Sequence, residues 1–426
     1  MKYRAVKGTR DLFPPESERF ARAEEAARRV FGAHGYGEVR TPSLEATELF
    51  ARSVGETTDI VHKEMYTFLD RKGRSLTLRP ENTAGVVRAI VENRLASGPM
   101  PLRLWYAGPQ FRYERPQAGR YREFRQIGAE LLGVPGPAAE IEILTMLFAF
   151  LGALGFQGLV VALNSVGTAA SREDFGKALQ GYLASRSEGF GEDDRRKLAE
   201  NPLRLFDSKD PAVRAALEGS PRTTDFLDPD SKRHHEEVRR LLGHAGIPFR
   251  DEPSLVRGLD YYTRTVFEVA SSELGAQDAI LGGGRYDKLV ESLGGPPLPA
   301  IGFAIGEDRL VQVAPRPAPS GGLFYVLPQG PEELDEALRV AAELRSLAAG
   351  AVEVDLLARG FKKAMARANA LLEEAASRGL EREKIFAVLL GAREREDSTV
   401  TIKRLSSGEQ EAVPRAQLAA WIAGRA

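Results

Sequence analysis

The sequence predicts an α+β domain carrying a helical insertion, followed by a smaller C-terminal α/β domain. Three observations carry that reading. In Val313-Ala314-Pro315-Arg316-Pro317-Ala318-Pro319-Ser320-Gly321-Gly322, alternating proline and then glycine make a semi-extended stretch that a packed element does not tolerate. Beyond it, strand-length apolar runs alternate with amphipathic helices, the pattern of a small doubly wound sheet. Before it the pattern is less regular, and from about 168 to 239 it turns charged and helix-like, with Pro202, Pro211 and Pro221 as punctuation. The boundaries read from this are 1–314 for the first domain, with 168–239 inserted in it, 315–322 for the linker and 323–426 for the last domain. A chain of 426 residues gives each domain its own core.

Taken in order, Glu16 to Phe31 is predicted helical, because Phe20, Ala23, Ala27, Val30 and Phe31 recur on one face behind an acidic first turn. After Gly32 come strands, notably Leu102 to Tyr106 and Phe124 to Leu132, and Ile141 to Leu154 is apolar enough for a buried helix. Past the linker, Leu323 to Leu327 reads as a buried strand. Gly330-Pro331-Glu332 starts a helix expected to bury Leu334, Leu338, Ala341 and Leu344 until Gly350. A strand at Val352 to Leu357, a helix from about Phe361, and strands at Ile385 to Leu390 and Val400 to Lys403 complete the series.

Composition excludes several classes. The 59 Lys+Arg against 60 Asp+Glu give a net charge of -1, which argues against a polybasic nucleic-acid coat while leaving room for local basic surfaces. With 0 cysteines there is no disulfide, thiol catalysis or cysteine-ligated zinc. His234 and His235 are adjacent, lack the helical spacing of a metal pair, and read as solvated. No metal site held by protein side chains is expected. The charged start Met1-Lys2-Tyr3-Arg4 and the absence of a membrane-length apolar span lead to the expectation of a cytoplasmic protein without membrane contact.

Candidate chemistry concentrates in a few runs. Arg257-Gly258-Leu259-Asp260-Tyr261-Tyr262 and Gly282-Gly283-Gly284-Arg285-Tyr286-Asp287 set fixed cations and tyrosine hydroxyls beside flexible or tightly packed backbone, the groups that hold a small polar anion. At the start of the second run, Gly282 to Gly284 lacks the Gly-Lys-Ser/Thr ending of a phosphate-cradling loop, so close backbone packing is at least as good a reading. Read as a strand, the first run would point Arg257 and Tyr262 to opposite faces, and a bend at Gly258 is expected to bring them together. Phe111 to Gln117 and Gly119 to Gln126 form a predicted hairpin with Pro116 and Gly119 at its tip. Alternation puts Phe124, Gln126, Gly128 and Glu130 on one face and Ile127, Ala129 and Leu131 on the other, which is plainly core. A solvated salt-bridge ladder is the alternative reading of the first face.

The hairpin resembles motif 2 of the class II aminoacyl-tRNA synthetases. Ala300-Ile301-Gly302-Phe303-Ala304-Ile305-Gly306-Glu307-Asp308-Arg309-Leu310 resembles their motif 3, and Val39-Arg40-Thr41-Pro42-Ser43-Leu44 resembles motif 1. Together with the runs at 257–262 and 282–287, which are similar to the two histidine-specific signatures, they make the chain resemble the histidyl-tRNA synthetase family over nearly its whole length. The resemblance implies an antiparallel catalytic sheet with flanking helices, a C-terminal anticodon-binding domain, and a homodimer with Pro42 at its interface. It implies activation of L-histidine with ATP and Mg2+ and transfer to the terminal adenosine of tRNA(His).

By the same resemblance, Arg112, Arg257 and Arg309 act on the α-phosphate, and Arg112, Glu114, Phe124 and Arg309 bind ATP with Phe124 under the adenine. Fixed guanidiniums suit two anions brought together, because they stay charged and bind oxygens bidentately. Glu81 and Thr83 are expected at the histidine α-amino group with Gln126 nearby, Glu130 and Tyr262 at the imidazole with Tyr286 close, and Arg115 and Gln117 at the tRNA acceptor end. Arg125 departs from the family's usual histidine but lies on the opposite face from Phe124 and Gln126. Gly391-Ala392-Arg393-Glu394 is less acidic than the family's usual sequence. Two rival readings remain: a regulatory, non-catalytic relative, which would not need Arg112, Arg309 or the last domain, and a class II synthetase for another amino acid.

Overall fold

The computed structural model describes residues 3–55, 58, 60–115, 119–271, 279–315, 321–347 and 350–424. It divides into two compact units, Met1–Pro315 and Arg316–Ala426.

In the first unit, helix α1 (Glu16–Ala33) buries Phe20, Ala23, Ala27, Val30 and Phe31, the stripe its sequence predicts. Strand β1 (Gly37–Glu38) follows, then β2 (Leu44–Ala46), helix α2 (Thr47–Val54), β3 (Tyr66–Leu69), β4 (Ser75–Leu78) and helix α3 (Thr83–Glu92). Two long strands, β5 (Leu102–Phe111) and β6 (Glu123–Leu132), form the central hairpin. Helix α4 (Ala138–Ala153), almost wholly apolar, packs under the sheet. After β7 (Leu159–Ser165) the insertion contributes α5 (Ala169–Leu183), α6 (Glu192–Glu200), a 3-10 turn at Pro202–Asp207, α7 (Pro211–Leu217) and α8 (Pro229–His244). The unit closes with β8 (Phe249–Asp251), β9 (Thr265–Ser271), β10 (Ala279–Arg285), α9 (Leu289–Ser292), β11 (Ala300–Gly306) and α10 (Glu307–Val313).

Eight of these strands form one sheet in the order β1-β5-β6-β11-β10-β9-β7-β8, and β2-β4-β3 form a small second sheet. The six inner strands run antiparallel, while the short edge strands β1 and β8 pair in parallel. One face of this sheet carries Ile127, Ala129, Leu131, Phe267, Val269, Ile301 and Phe303, which pack on α1 and α4. The other face is polar and holds the candidate site.

That polar face has room because glycine stands where side chains must cross. A Cβ on Gly302 of β11 would overlap the Glu130 carboxylate on the neighbouring strand. On β10, a Cβ at Gly282 would overlap the Arg257 guanidinium, and one at Gly284 would sit 2.9 Å from the Tyr262 ring. Close backbone packing is therefore what the triple glycine supplies.

The run from Arg257 to Tyr262 lies in a loop, and regular pairing begins at Thr265. One expectation for this unit is corrected: His234 and His235 are buried, not solvated, because Ser231, His234, His235, Val238 and Leu242 line the inner face of α8.

The second unit is built on β12 (Gly322–Pro328), α11 (Leu334–Ser346), β13 (Gly350–Val354), α12 (Phe361–Ser377), β14 (Ile385–Leu390), α13 (Ala392–Glu396), β15 (Thr399–Arg404), β16 (Gln410–Pro414) and α14 (Leu418–Ala423). Strand order is β13-β12-β14-β15-β16, with β12 parallel to both neighbours and the rest antiparallel. Phe324 and Val326 face α11 and α14, while Leu323, Tyr325 and Leu327 face α12, so helices cover both sides. Helix α11 buries Ala337, Val340, Ala341 and Leu344, and Leu338 is 42% exposed; the buried stripe is turned from the one read at Leu334 and Leu338. The strand expected to reach Leu357 ends at Val354, leaving Leu356 and Leu357 in solvent.

Gly302→Ala should destabilise the folded protein by about 1–3 kcal/mol through overpacking against a buried carboxylate. Gly306→Ala, where a Cβ meets open space, should stay within about 0.5 kcal/mol of the parent. Denaturant unfolding of the two variants side by side measures the contrast.

Candidate active site

The site is organised around two buried carboxylates. Glu130, fully buried on β6, accepts hydrogen bonds from Thr83 Oγ1 at 2.7 Å and from the Tyr286 hydroxyl. Glu81 accepts the backbone N–H groups of Thr83 at 2.7 Å and Ala84 at 2.9 Å, which caps the start of α3. Burial pushes the Glu130 carboxyl up to about 8, with the charge of Glu81 adding to it against the pull of the Tyr286 and Thr83 hydrogen bonds. Burial raises Glu81 as well, against its two backbone donors and the Arg112 charge.

Three tyrosines form the adjoining wall. The rings of Tyr261 and Tyr262 lie 4.8 Å apart, and Tyr261 meets Tyr286 edge-on at 5.6 Å. Burial raises the pKa of Tyr262 and of Tyr286, so both stay neutral and can donate. Arg257 closes this side, 27% exposed and hydrogen-bonded to Glu268 of β9. Burial works against its charge, but Tyr262 and Glu268 outweigh it and raise its pKa.

The hairpin supplies the other end. Arg112 Nε donates to the Pro80 carbonyl at 2.9 Å, and its guanidinium carbon sits 5.2 Å from the centre of the Phe124 ring. Gln126 is buried on the same strand face as Glu130 and pairs across to Gly306, where β11 passes into α10. Arg309 is the third residue of that helix. Glu114 lies 3.5 Å from Arg120, and Arg115 is exposed near the hairpin end. Gln117 lies outside the described residues, as does Pro116 at the expected tip. The fold thus gathers Glu81, Thr83, Glu130, Tyr262 and Tyr286 at one end of the polar face, and Arg112 and Phe124 at the hairpin.

Several supporting residues escaped the sequence reading. Arg79 donates to Pro109 O and Thr41 O at 2.9 Å each and to Asn82 Oδ1 at 3.0 Å, tying three segments of the site together. Beneath β9 and β10, Glu140 of α4 receives Thr265 Oγ1 at 2.9 Å, faces His234 Nε2 at 2.6 Å and pairs with the fully buried Arg285 at 3.4 Å. Although burial raises Glu140, His234 and Arg285 outweigh it and hold the pKa below the ordinary value. Arg125 sits on the face opposite Phe124, as alternation requires. There its backbone N–H donates to Asp308 Oδ2 at 2.8 Å and its side chain pairs with Glu24 and with Glu307 at 3.2 Å. From the insertion, Arg172, Asn201 and Arg204 all hydrogen-bond the loop that carries Arg257 and Tyr262.

Two carboxylates, neutral phenols and a guanidinium at the rim suit a small zwitterion whose cationic end faces inward and whose carboxylate faces Arg257. Because Glu130 is raised in the folded state, its contribution to stability is complete below the unfolded carboxyl value and fades as pH climbs through about 8. The melting temperature of Glu130→Gln relative to the parent should therefore shift in the variant's favour between pH 5 and pH 8.5, whatever the offset at pH 5. Thermal melts of both proteins without ligand across that range test the sign.

A sequence model described as histidyl-tRNA synthetase matches residues 8–175 and 188–310, and one described as anticodon binding domain matches 324–425. A histidine–tRNA ligase from Synechococcus elongatus is 46% identical over 417 residues, covering 97% of this chain and 93% of that protein. Another, from a Synechococcus species, is 43% identical over 422 residues and covers 98% of both. The solved structure of an apo histidyl-tRNA synthetase from S. aureus superposes with a TM-score of 0.76 at 31% identity, covering 99% of each chain. With the matched segments spanning both units and the relatives matching end to end, the chain belongs to the histidyl-tRNA synthetase family.

Proposed function

We propose that the chain acts as a histidine–tRNA ligase, with its residues in the roles that follow. A histidine carboxylate oxygen attacks the α-phosphorus of ATP, the bond to pyrophosphate breaks, and histidyl-adenylate forms. The terminal adenosine of tRNA(His) then takes the histidyl group and releases AMP. The observation that carries the histidine assignment is the pair of buried carboxylates, Glu81 and Glu130, walled by Tyr262 and Tyr286.

In this reading Glu81 and Thr83 hold the α-amino group, with Gln126 nearby. Glu130 and Tyr262 contact the imidazole, and Tyr286 keeps Glu130 in place. An amino acid without an imidazole N–H leaves the buried acceptor unpaired, which is a strong basis for rejection. Arg257 bridges the substrate carboxylate and the α-phosphate; Arg112 and Arg309 complete the positive field there. Phe124 stacks under adenine, with Glu114 beside it. Mg2+ would enter with ATP: such ions keep to phosphate oxygens and one or two carboxylates, and among the described residues no group of three or more His, Asp or Glu is placed to hold a metal.

The acceptor end of the tRNA meets Arg115, which is exposed, and Gln117. Residues 323–426, joined by the 315–322 linker to the 1–314 catalytic domain, bind the anticodon. Support comes from the C-terminal ends of β13 and the start of α12, where Leu356, Leu357 and Phe361 are exposed beside the exposed Lys362 and Lys363, an apolar and basic surface suited to splayed RNA bases. We place the protein in the cytoplasm as a homodimer contacting through Pro42, which is exposed with Leu44 next to it. No helix among the described residues is long and apolar enough to cross a membrane.

Arg257→Ala should lower the rate of adenylate formation on the order of a hundredfold or more while the fold persists. Pyrophosphate exchange by the folded variant measures this, and near-normal exchange removes Arg257 from the mechanism. Removing everything after Pro319 should leave histidine-dependent exchange at least partly intact while tRNA charging falls sharply. Equal charging by the truncated and full chains would contradict the anticodon role.

A further inference from the structure

The insertion's first helix reaches into the histidine-specific loop. Between Glu252 and Arg264 the chain has no ladder or helical hydrogen bonds, and its course depends on contacts from outside. Nη1 of Arg172, on α5, donates to two of the loop's carbonyls, Asp260 O at 3.0 Å and Tyr262 O at 2.9 Å. The Asp260 carboxylate is itself held by Asn201 Nδ2 at 3.1 Å and Arg204 Nη2 at 3.0 Å. Beside these groups lies a cavity of about 480 Å3 lined by Arg172, Gln180, Arg204, Arg257, Asp260 and Tyr262. On its other side the loop packs Leu255, Leu259, Tyr261 and Tyr262 into apolar clusters, but on the cavity side it is backed by space, and there the hydrogen bonds from Arg172, Asn201 and Arg204 hold it.

The consequence passes to the site through a short chain of contacts. The two carbonyls held by Arg172 bracket Tyr261, whose ring lies against Tyr262 at a tilt of 55° and meets Tyr286 edge-on, and Tyr286 donates to Glu130. The structure assigns to Arg172 the role of a positioning residue for histidine selection: it sets Tyr262 and Tyr261 against the carboxylate wall and makes the insertion part of amino-acid recognition. This rests on Tyr262 contacting the imidazole. Arginine suits the task because one nitrogen of its rigid fork presents two hydrogens to two carbonyls at once, and its charge strengthens both bonds.

Histidine-dependent pyrophosphate exchange by full-length Arg172→Ala, Arg172→Lys and Tyr262→Phe tests the assignment. For Arg172→Ala, KM for histidine should rise about tenfold or more, with KM for ATP moving less than about twofold. Methylguanidinium at low millimolar concentration, entering the cavity, should recover part of that loss and leave the parent enzyme unchanged. Arg172→Lys, which keeps the charge without the fork, should show the same split to a smaller degree, and it decides the matter if the alanine variant does not fold. Unchanged KM for histidine in both Arg172 variants, or equal losses for histidine and ATP without chemical rescue, overturns the assignment. If Tyr262→Phe leaves KM for histidine untouched, the Tyr262 contact itself is what fails; if it raises KM while the Arg172 variants do not, only the brace fails.

Discussion

A carboxylate with no exposure to water is the constraint on which the catalytic unit depends. Glu130 is satisfied by two hydroxyls, Thr83 from the start of α3 and Tyr286 from the loop after β10, and it lies against a glycine on β11. Each of those partners has to be delivered by a different part of the chain. The strand order that puts β6 beside β11 and β11 beside β10 is what brings them together. Left without those hydroxyls a carboxyl at this depth would cost about 1–3 kcal/mol, so the placement of α3 and of the chain after β10 is tied to Glu130. Burial is what raises the pKa of Glu130, against the pull of the two hydroxyls that donate to it.

Around that carboxylate, polar networks reach through the sheet instead of stopping at its surface. Arg285 follows the triple glycine, and beneath it Glu140, His234 and Thr265 link α4, α8 and β9. Arg79 performs the same service on the other side, joining Thr41, Asn82 and the Pro109 carbonyl. Arg125 and Glu307 do so below the start of α10. Buried arginines recur because a five-donor fork can satisfy several acceptors from one side chain. The insertion is thereby more than a decoration on the catalytic unit, since one of these networks draws His234 from it and Arg172, Asn201 and Arg204 hydrogen-bond the loop before β9.

Much of this was legible in the sequence wherever the governing rule is local. Period-two alternation sorted Phe124, Gln126 and Glu130 from Ile127, Ala129 and Leu131, and it placed Arg125 away from the ligand face. Proline and glycine marked the boundary near 313–322, and a helical stripe gave α1. What local pattern missed is long-range: the partners of Glu140 lie 94, 125 and 145 residues away, and Arg172 reaches carbonyls 88 and 90 residues on. His234 and His235 were misread because polarity outweighed position. Their spacing from Ser231, Val238 and Leu242 was a helical-face signal that could have placed them inward.

In the C-terminal unit the corrected stripe of α11 and the shorter β13 change which residues meet solvent, and so which can meet RNA. The catalytic claim stands apart from that surface and is tested most directly by ATP–pyrophosphate exchange with the full-length protein across all the standard amino acids. The account predicts exchange supported by histidine alone. Histidine binding without exchange, or exchange driven by another amino acid, would contradict it.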